Sequence, residues 1–202
     1  MNRIKSMIEV IGIFESIASI IITLCVVLIY LRVYANFKQA EKLRVKRKEE
    51  KKSIVETFSM SMFFIVCYLV VVLRIGQFNM DILFIRIIAL IVFGVSTYIN
   101  IAGRNYLGNN WGNNVIIYEN HTLVKEGVYK IIRHPLYASI IWMIYAVSII
   151  YMNFVVGIFN TIIFIPFMYY RAKQEEKLLS EHFSNYQEYK KEVGMFFPKV
   201  WR

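Results

Sequence analysis

The sequence is poor in cysteine, histidine, proline and acid. Its two cysteines, Cys25 and Cys67, lie in separate apolar runs. That excludes a disulfide framework and any cysteine-based metal spacing. Each cysteine reads as a small residue facing lipid or core. The three histidines never fall into a ligand set, so no metal site is expected. No low-complexity tract and no internal repeat is visible, and the closing "KVWR" carries no lipidation box. Acidic residues number 14 against 24 Lys and Arg, for a net charge of +10.

Apolar residues are abundant: 57% of the chain is hydrophobic, 16% is aromatic, and the mean hydropathy is +0.48. A soluble domain sits nearer half apolar. The excess is gathered into runs at 11–31, 54–73, 82–101, 136–152 and 154–170. The first three match the ~20 residues that cross a hydrocarbon core, and the last two sit near the lower limit. The first run is too long for a cleaved signal and lacks a small-residue cleavage site, so it is expected to remain as a span.

The basic excess is local. "FKQAEKLRVKRKEEKK" holds Lys38, Lys42, Arg44, Lys46, Arg47, Lys48, Lys51 and Lys52. Between two spans it reads as a cytoplasmic loop against anionic lipid heads rather than a nucleic-acid patch. That places the N-terminus outside and, after about five crossings, the C-terminus inside. Glu15 is expected to snorkel or to face the bundle. Arg74 and Arg86 flank the turn "RIGQFNMD", and Arg86 reads as an outer-interface anchor in preference to a buried ion pair.

Residues 103–135 break the hydropathy pattern. "GRNYLGNNWGNN" reads as a loop or broken helix, and the stretch after it as a cytoplasmic excursion with a short strand or interfacial helix. Asn153 alone separates the last two runs, which predicts a tight helical hairpin. Pro166 is expected to kink its second arm. From Arg171 onward, "RAKQEEKLLSEHFSNYQEYKKEV" reads as one charged amphipathic helix. Leu178, Leu179, Phe183, Tyr186 and Tyr189 form its apolar face, and Gly194 and Pro198 follow it.

"GVYKIIRHPLY" sets Arg133 and His134 before Pro135, a favourable first residue for a helix. A positive helix start with an arginine suits an anion, but the same residues serve equally as a headgroup anchor. Arg171, Glu175 and Glu176 stand at the end of the fifth run, with Arg171 and Glu175 on one helix face. The hairpin would bring this cluster to Arg133 and His134. The bland alternative is a solvated, salt-bridged helix.

The ordered set "YLGNNW", "HTLVKEGVYKIIRHPLY", a membrane hairpin, "RAKQEEKLL" and "HFSNYQEYKKEV" resembles the isoprenylcysteine carboxyl methyltransferase family and the related membrane phospholipid methyltransferases. The likeness runs over residues 106–198. It departs at Ser139, where the family often has Gly, and at Phe183-Ser184-Asn185-Tyr186, which lacks a frequent Phe-Gly.

The resemblance implies an all-α, polytopic integral-membrane helical bundle with a cytoplasmic cofactor pocket and a C-terminal amphipathic helix. Residues 1–202 would form one methyltransferase domain, with a three-helix part at 1–102 and a catalytic part at 103–202. It implies S-adenosylmethionine as cofactor. The implied cofactor contacts are His121, Leu123, Val124, Gly127, Tyr129, Arg133, His134, Pro135, Tyr137 and Glu176. Arg171 and Glu175 would be catalytic, holding the acceptor and arranging the reaction. His182 has no matching role and reads as a solvated residue. The acceptor would be lipophilic: an isoprenylcysteine-like carboxylate, or a small lipidic, isoprenoid or polyketide compound.

The cofactor's carboxylate suits Arg133, and its ammonium suits Glu176. An acceptor carboxylate needs no base, whereas an amine or phenol would make Glu175 one. A phospholipid N-methyltransferase is the near alternative. A sterol-reductase-like NADPH enzyme is disfavoured by length, and a non-catalytic scaffold by the intact polar set. Membrane lipids are the other expected partner, with no nucleic acid and no obligatory protein partner. Richness in Ile, Lys and Asn suggests an AT-rich, bacterial genome, hence a bacterial cytoplasmic membrane with the active site facing the cytoplasm.

Overall fold

The computed structural model describes residues 2–41, 45–48, 53–78, 82–112 and 116–199. It is mostly helical. Three helical stretches are long and apolar enough to cross a membrane: Glu9–Ala40, Leu83–Asn110 and Phe154–His182. Two shorter apolar helices, Phe58–Val72 and Pro135–Ile150, pack among them. Ile20, Leu24, Ile91, Tyr98 and Ile162 point outward, exposed. A soluble protein would not leave so many large apolar side chains uncovered, so these faces belong in lipid.

In chain order the helices are α1 (Asn2–Ala40), α2 (Ser53–Val72), α3 (Leu83–Leu107), α4 (Pro135–Ile150), α5 (Phe154–Phe159), α6 (Ile165–His182) and α7 (Tyr186–Glu192). The first apolar run thus extends into a longer helix, while the second and third match α2 and most of α3. A two-stranded antiparallel ribbon joins β1 (Val45–Lys48) to β2 (Ile116–Tyr118), with Lys48 opposite Ile116. Part of the basic tract is therefore strand rather than loop, and its partner is the short strand expected in the 103–135 excursion. Residues 42–44 and 49–52 of that tract lie outside the described residues.

Two apolar clusters hold the bundle. One joins Ala18 of α1, Ala89 and Phe93 of α3, and Met143, Ala146 and Ile150 of α4. The other joins Cys67 and Val70 of α2 to Ile141, Ile144, Val156, Phe164 and Met168. Small residues let the helices approach: a Cβ on Gly103 would sit 3.0 Å from Leu136 Cδ2.

The hairpin forms where expected. Asn153, fully enclosed, caps α5 by accepting from the Val156 amide at 3.2 Å and donates to the Ile75 carbonyl at 2.9 Å. Just before Pro166, the turn Asn160–Phe164 widens to π geometry. Proline lacks an amide hydrogen and crowds the carbonyl four residues back, and a wide turn relieves both.

Two expectations need correction. Arg86 is not an interface anchor. It is 3% exposed, and its Nη1 donates to Glu15 Oε1 at 2.8 Å, with Arg74 4.0 Å from the other oxygen. A charge at that depth is costly without a counter-charge, and α1 supplies one to α3. Glu15 accordingly faces the bundle.

The C-terminal amphipathic helix is also not continuous. It stops at His182 and resumes at Tyr186, with Phe183 in extended geometry. Ser184 and Asn185 compete for backbone hydrogen bonds and favour a break. The break redirects Tyr189, whose hydroxyl donates to the Tyr129 carbonyl at 2.6 Å. Beyond α7 the chain runs back along the start of α4: the amides of Arg133 and His134 donate to the carbonyls of Gly194 (2.8 Å) and Met195 (3.0 Å).

Candidate active site

A cavity of about 330 Å³ opens where the apolar helices end. Its walls come from α2 around Met60 and Phe64, the last turn of α3, the linker between α3 and α4, the first turns of α4, and the facing sides of α6 and α7. His121, Leu123, Val124, Tyr129, Arg133, His134, Pro135, Tyr137, Arg171 and Glu175 all line it. The hairpin thus gathers the two distant polar tracts, as their spacing suggested.

Two of the sequence-predicted residues do not line the cavity. Gly127 turns the linker with φ +56, and a Cβ there would land on the Tyr106 ring. Only glycine occupies that conformation without cost. Glu176 is 1% exposed: Arg133 Nε and Nη2 donate to its Oε1 at 2.9 and 2.7 Å, and the Lys190 ammonium lies 2.9 Å from its Oε2 as an ion pair. Arg133 also donates through Nη1 to the Lys190 carbonyl at 3.2 Å and to the Val193 carbonyl. Arg133 on the cavity wall and Glu176 behind it therefore staple α4, α6 and α7 together.

The second polar chain faces the cavity. Arg171 Nε donates to the Tyr137 hydroxyl at 3.0 Å, and that hydroxyl donates to Glu175 Oε1. Arg171 Nε also lies 3.8 Å from the same carboxylate oxygen, one helical turn away. His134, stacked on Tyr137 at 5.5 Å, sets Nδ1 3.6 Å from Glu175 and Nε2 3.4 Å from Glu176. Glu175 is thus surrounded by an arginine, an imidazole and a phenol, which hold it as an oriented anion.

Burial alone would push the His134 imidazole down, but the adjacent Glu175 and Glu176 carboxylates raise it above 6.5. His121 goes the other way: burial, helped by nearby His182, lowers it to about 4 and keeps it neutral. Burial and the Glu175 charge raise Tyr129, and burial takes Tyr189 to about 12, so both phenols stay protonated.

Sequence reasoning missed Arg104, which lines the same cavity. An arginine at the end of an apolar run carries the pattern of a headgroup anchor, so hydropathy could not single it out. Ser139, the departure from the family pattern, is also used: its Oγ accepts from Asn100 Nδ2 at 2.9 Å and donates to the Leu136 carbonyl at 2.8 Å.

The fold and cavity define an integral-membrane helical bundle with a charged small-molecule pocket at the end of its helices. Its likeness to known proteins is specific. Residues 87–181, from α3 through most of α6, match the isoprenylcysteine carboxyl methyltransferase (ICMT) family, as the motifs indicated. An 81-residue segment is 36% identical to the protein-S-isoprenylcysteine O-methyltransferase of Saccharomyces cerevisiae. That segment covers 40% of this chain and 34% of the yeast protein. The solved structure of the eukaryotic intramembrane Ras methyltransferase ICMT superposes with a TM-score of 0.55 at 21% identity, over 75% of this chain and 55% of that one. The chain thus spans about a third of the yeast relative's length and about half of the solved one, and the structural likeness establishes the shared fold.

Proposed function

We propose that this protein is an S-adenosylmethionine-dependent methyltransferase whose acceptor is a lipophilic carboxylate of the S-isoprenylcysteine type. The observation that carries the reading is the Arg171–Tyr137–Glu175 chain on the cavity wall, inside the family-matched segment. The name of the yeast relative supports the acceptor class.

The residues present fit an amino-acid-bearing cofactor. His121 Nδ1 and Arg104 Nη1 are buried without a hydrogen-bond partner among the described residues, and both side chains line the cavity. Its volume falls within the ~300–1,000 Å³ of small-molecule sites. His121, Leu123, Val124, Tyr129, Pro135 and Tyr137 would hold the cofactor, with His134 beside them. Arg133, Glu176 and Gly127 would contribute by fixing that wall. When bound, the cofactor supplies a methyl group on a positively charged sulfur.

The chain's own part is to present the nucleophile. A carboxylate is ionised at neutral pH and needs no general base. Arg171, braced by Tyr137 and Glu175, would clamp it in a fixed orientation. Met60, Phe64, Ile140 and Leu178 on the cavity wall would exclude water and accept the acceptor's apolar portion.

The pocket is assigned to the cytoplasmic side on the following support. The basic strand β1 pairs with β2, and Ile117 of β2 lines the cavity. The positively charged tract and the pocket therefore share one end of the bundle, which the positive-inside rule puts in the cytoplasm.

Calorimetry of the detergent-solubilised protein with S-adenosylhomocysteine, beside NADPH, tests the reading. S-adenosylhomocysteine alone should bind. Binding of NADPH alone would replace the proposal with a reductase, and binding of neither by folded protein would make the chain a scaffold.

A further inference from the structure

Three arginines line the cavity: Arg104, Arg133 and Arg171. Arg133 is spent on Glu176 and two backbone carbonyls. Arg171 is tied to Tyr137 and Glu175. Arg104 differs. Its side chain lies at the inner end of α3 and is 8% exposed, yet it has no ion pair among the described residues.

Arg104 is nevertheless held in place. Nε donates to Asn100 Oδ1 at 3.0 Å, and the guanidinium rests over the Trp111 ring at 5.5 Å. Asn100 is in turn fixed by Ser139 Oγ at 2.9 Å and the Leu136 carbonyl at 3.4 Å. One edge of the guanidinium is thus braced, one face is stacked, and Nη1 is buried with no hydrogen-bond partner among the described residues. A buried charged group that is fixed yet has no counter-charge marks a binding site more often than a structural one.

We propose that Arg104 is a carboxylate-binding residue of this cavity, contacting the carboxylate of an amino-acid moiety in the bound ligand. The proposal rests on the methyltransferase reading, in which cofactor and acceptor each carry such a carboxylate. A carboxylate matches the planar donor edge of guanidinium, and no described carboxylate of the chain occupies that place. The preset bracing by Asn100 and Trp111 reduces the ordering cost of binding.

The test compares ligands that differ only in the carboxylate. S-adenosylhomocysteine and its decarboxylated analogue form one pair. N-acetyl-S-farnesylcysteine and its carboxamide form the other. Calorimetry on the wild type should show the acid of one pair binding about tenfold or more tighter, the worth of a charge-assisted hydrogen bond. Arg104→Gln should abolish that preference, and Arg104→Lys should restore part of it. A general loss of folding would weaken both members of a pair equally, so the ratio isolates the contact.

Loss of discrimination in the nucleoside pair assigns Arg104 to the cofactor, and loss in the cysteine pair assigns it to the acceptor. Retention of both preferences in Arg104→Gln overturns the inference while leaving the methyltransferase reading intact. A wild type that distinguishes neither pair also overturns it, and failure to bind S-adenosylhomocysteine at all removes the underlying reading as well.

Discussion

Arg133 and Glu176, 43 residues apart, meet through two nitrogens on one oxygen at 2.9 and 2.7 Å, and both are almost fully enclosed. The pair closes the start of α4 onto α6, and Arg133's further bonds to carbonyls 190 and 193 draw in α7. A residue read from the sequence as a ligand contact is thus also the main staple of the pocket wall.

Removing one partner leaves the other charge buried. Arg133→Met should therefore cost about 3–5 kcal/mol of stability, less whatever Lys190 recovers for Glu176. Denaturation in detergent measures this. The double variant Arg133→Met/Glu176→Gln should be more stable than Arg133→Met alone. Equal destabilisation in both would show that the pair is not what holds the wall.

His134 sets a pH dependence. Burial opposes the charged form, but the Glu175 and Glu176 carboxylates beside the imidazole outweigh it and place its folded value above 6.5. The protonated form is favoured by folding, so the associated stability is complete below 6.5 and is lost as pH rises through the higher folded value. Melting temperature should fall over that alkaline limb, and His134→Gln should flatten the fall. An unchanged limb in the variant assigns the titration to another group.

Arg171→Ala should retain S-adenosylhomocysteine affinity while lowering turnover by about 100-fold or more, the scale of losing one preset charge-stabilising group. Tyr137→Phe removes only the bracing hydroxyl and should cost less. Weakened cofactor affinity with near-normal turnover at saturation would reverse the assigned roles.

Gly127→Ala must place a Cβ at φ +56 against the Tyr106 ring. The left-handed conformation alone costs about 1–2 kcal/mol. Stability should drop by at least that much, and the 121–129 linker should lose cofactor affinity with it. A variant as stable as wild type would mean that the linker takes another path.

Arg86 and Glu15 lie in the bundle away from the cavity. Arg86→Met should destabilise by about 3 kcal/mol, leave activity per folded molecule unchanged, and be partly rescued by Glu15→Gln. A change in KM would tie this ion pair to the site.

Hydropathy was sufficient for a helical bundle with apolar helices of spanning length and for the α4–α5 hairpin, because lipid admits few alternatives to an apolar helix. The ordered motifs named ten residues that line the cavity, together with Gly127 and Glu176, which do not, and they passed over Arg104. Three features depended on partners far away in the chain. Arg86 has the pattern of an anchor until Glu15 on α1 is seen beside it. The amphipathic stretch after Arg171 has helical periodicity throughout, and only packing against Tyr129 shows where it turns. Arg104 and Arg133 are both arginines beside apolar runs, yet one is saturated and the other is not. Periodicity and composition fix which residues leave water, since that is a property of each side chain. Which buried charge finds a counter-charge is a property of three-dimensional distance, and only the folded chain sets it.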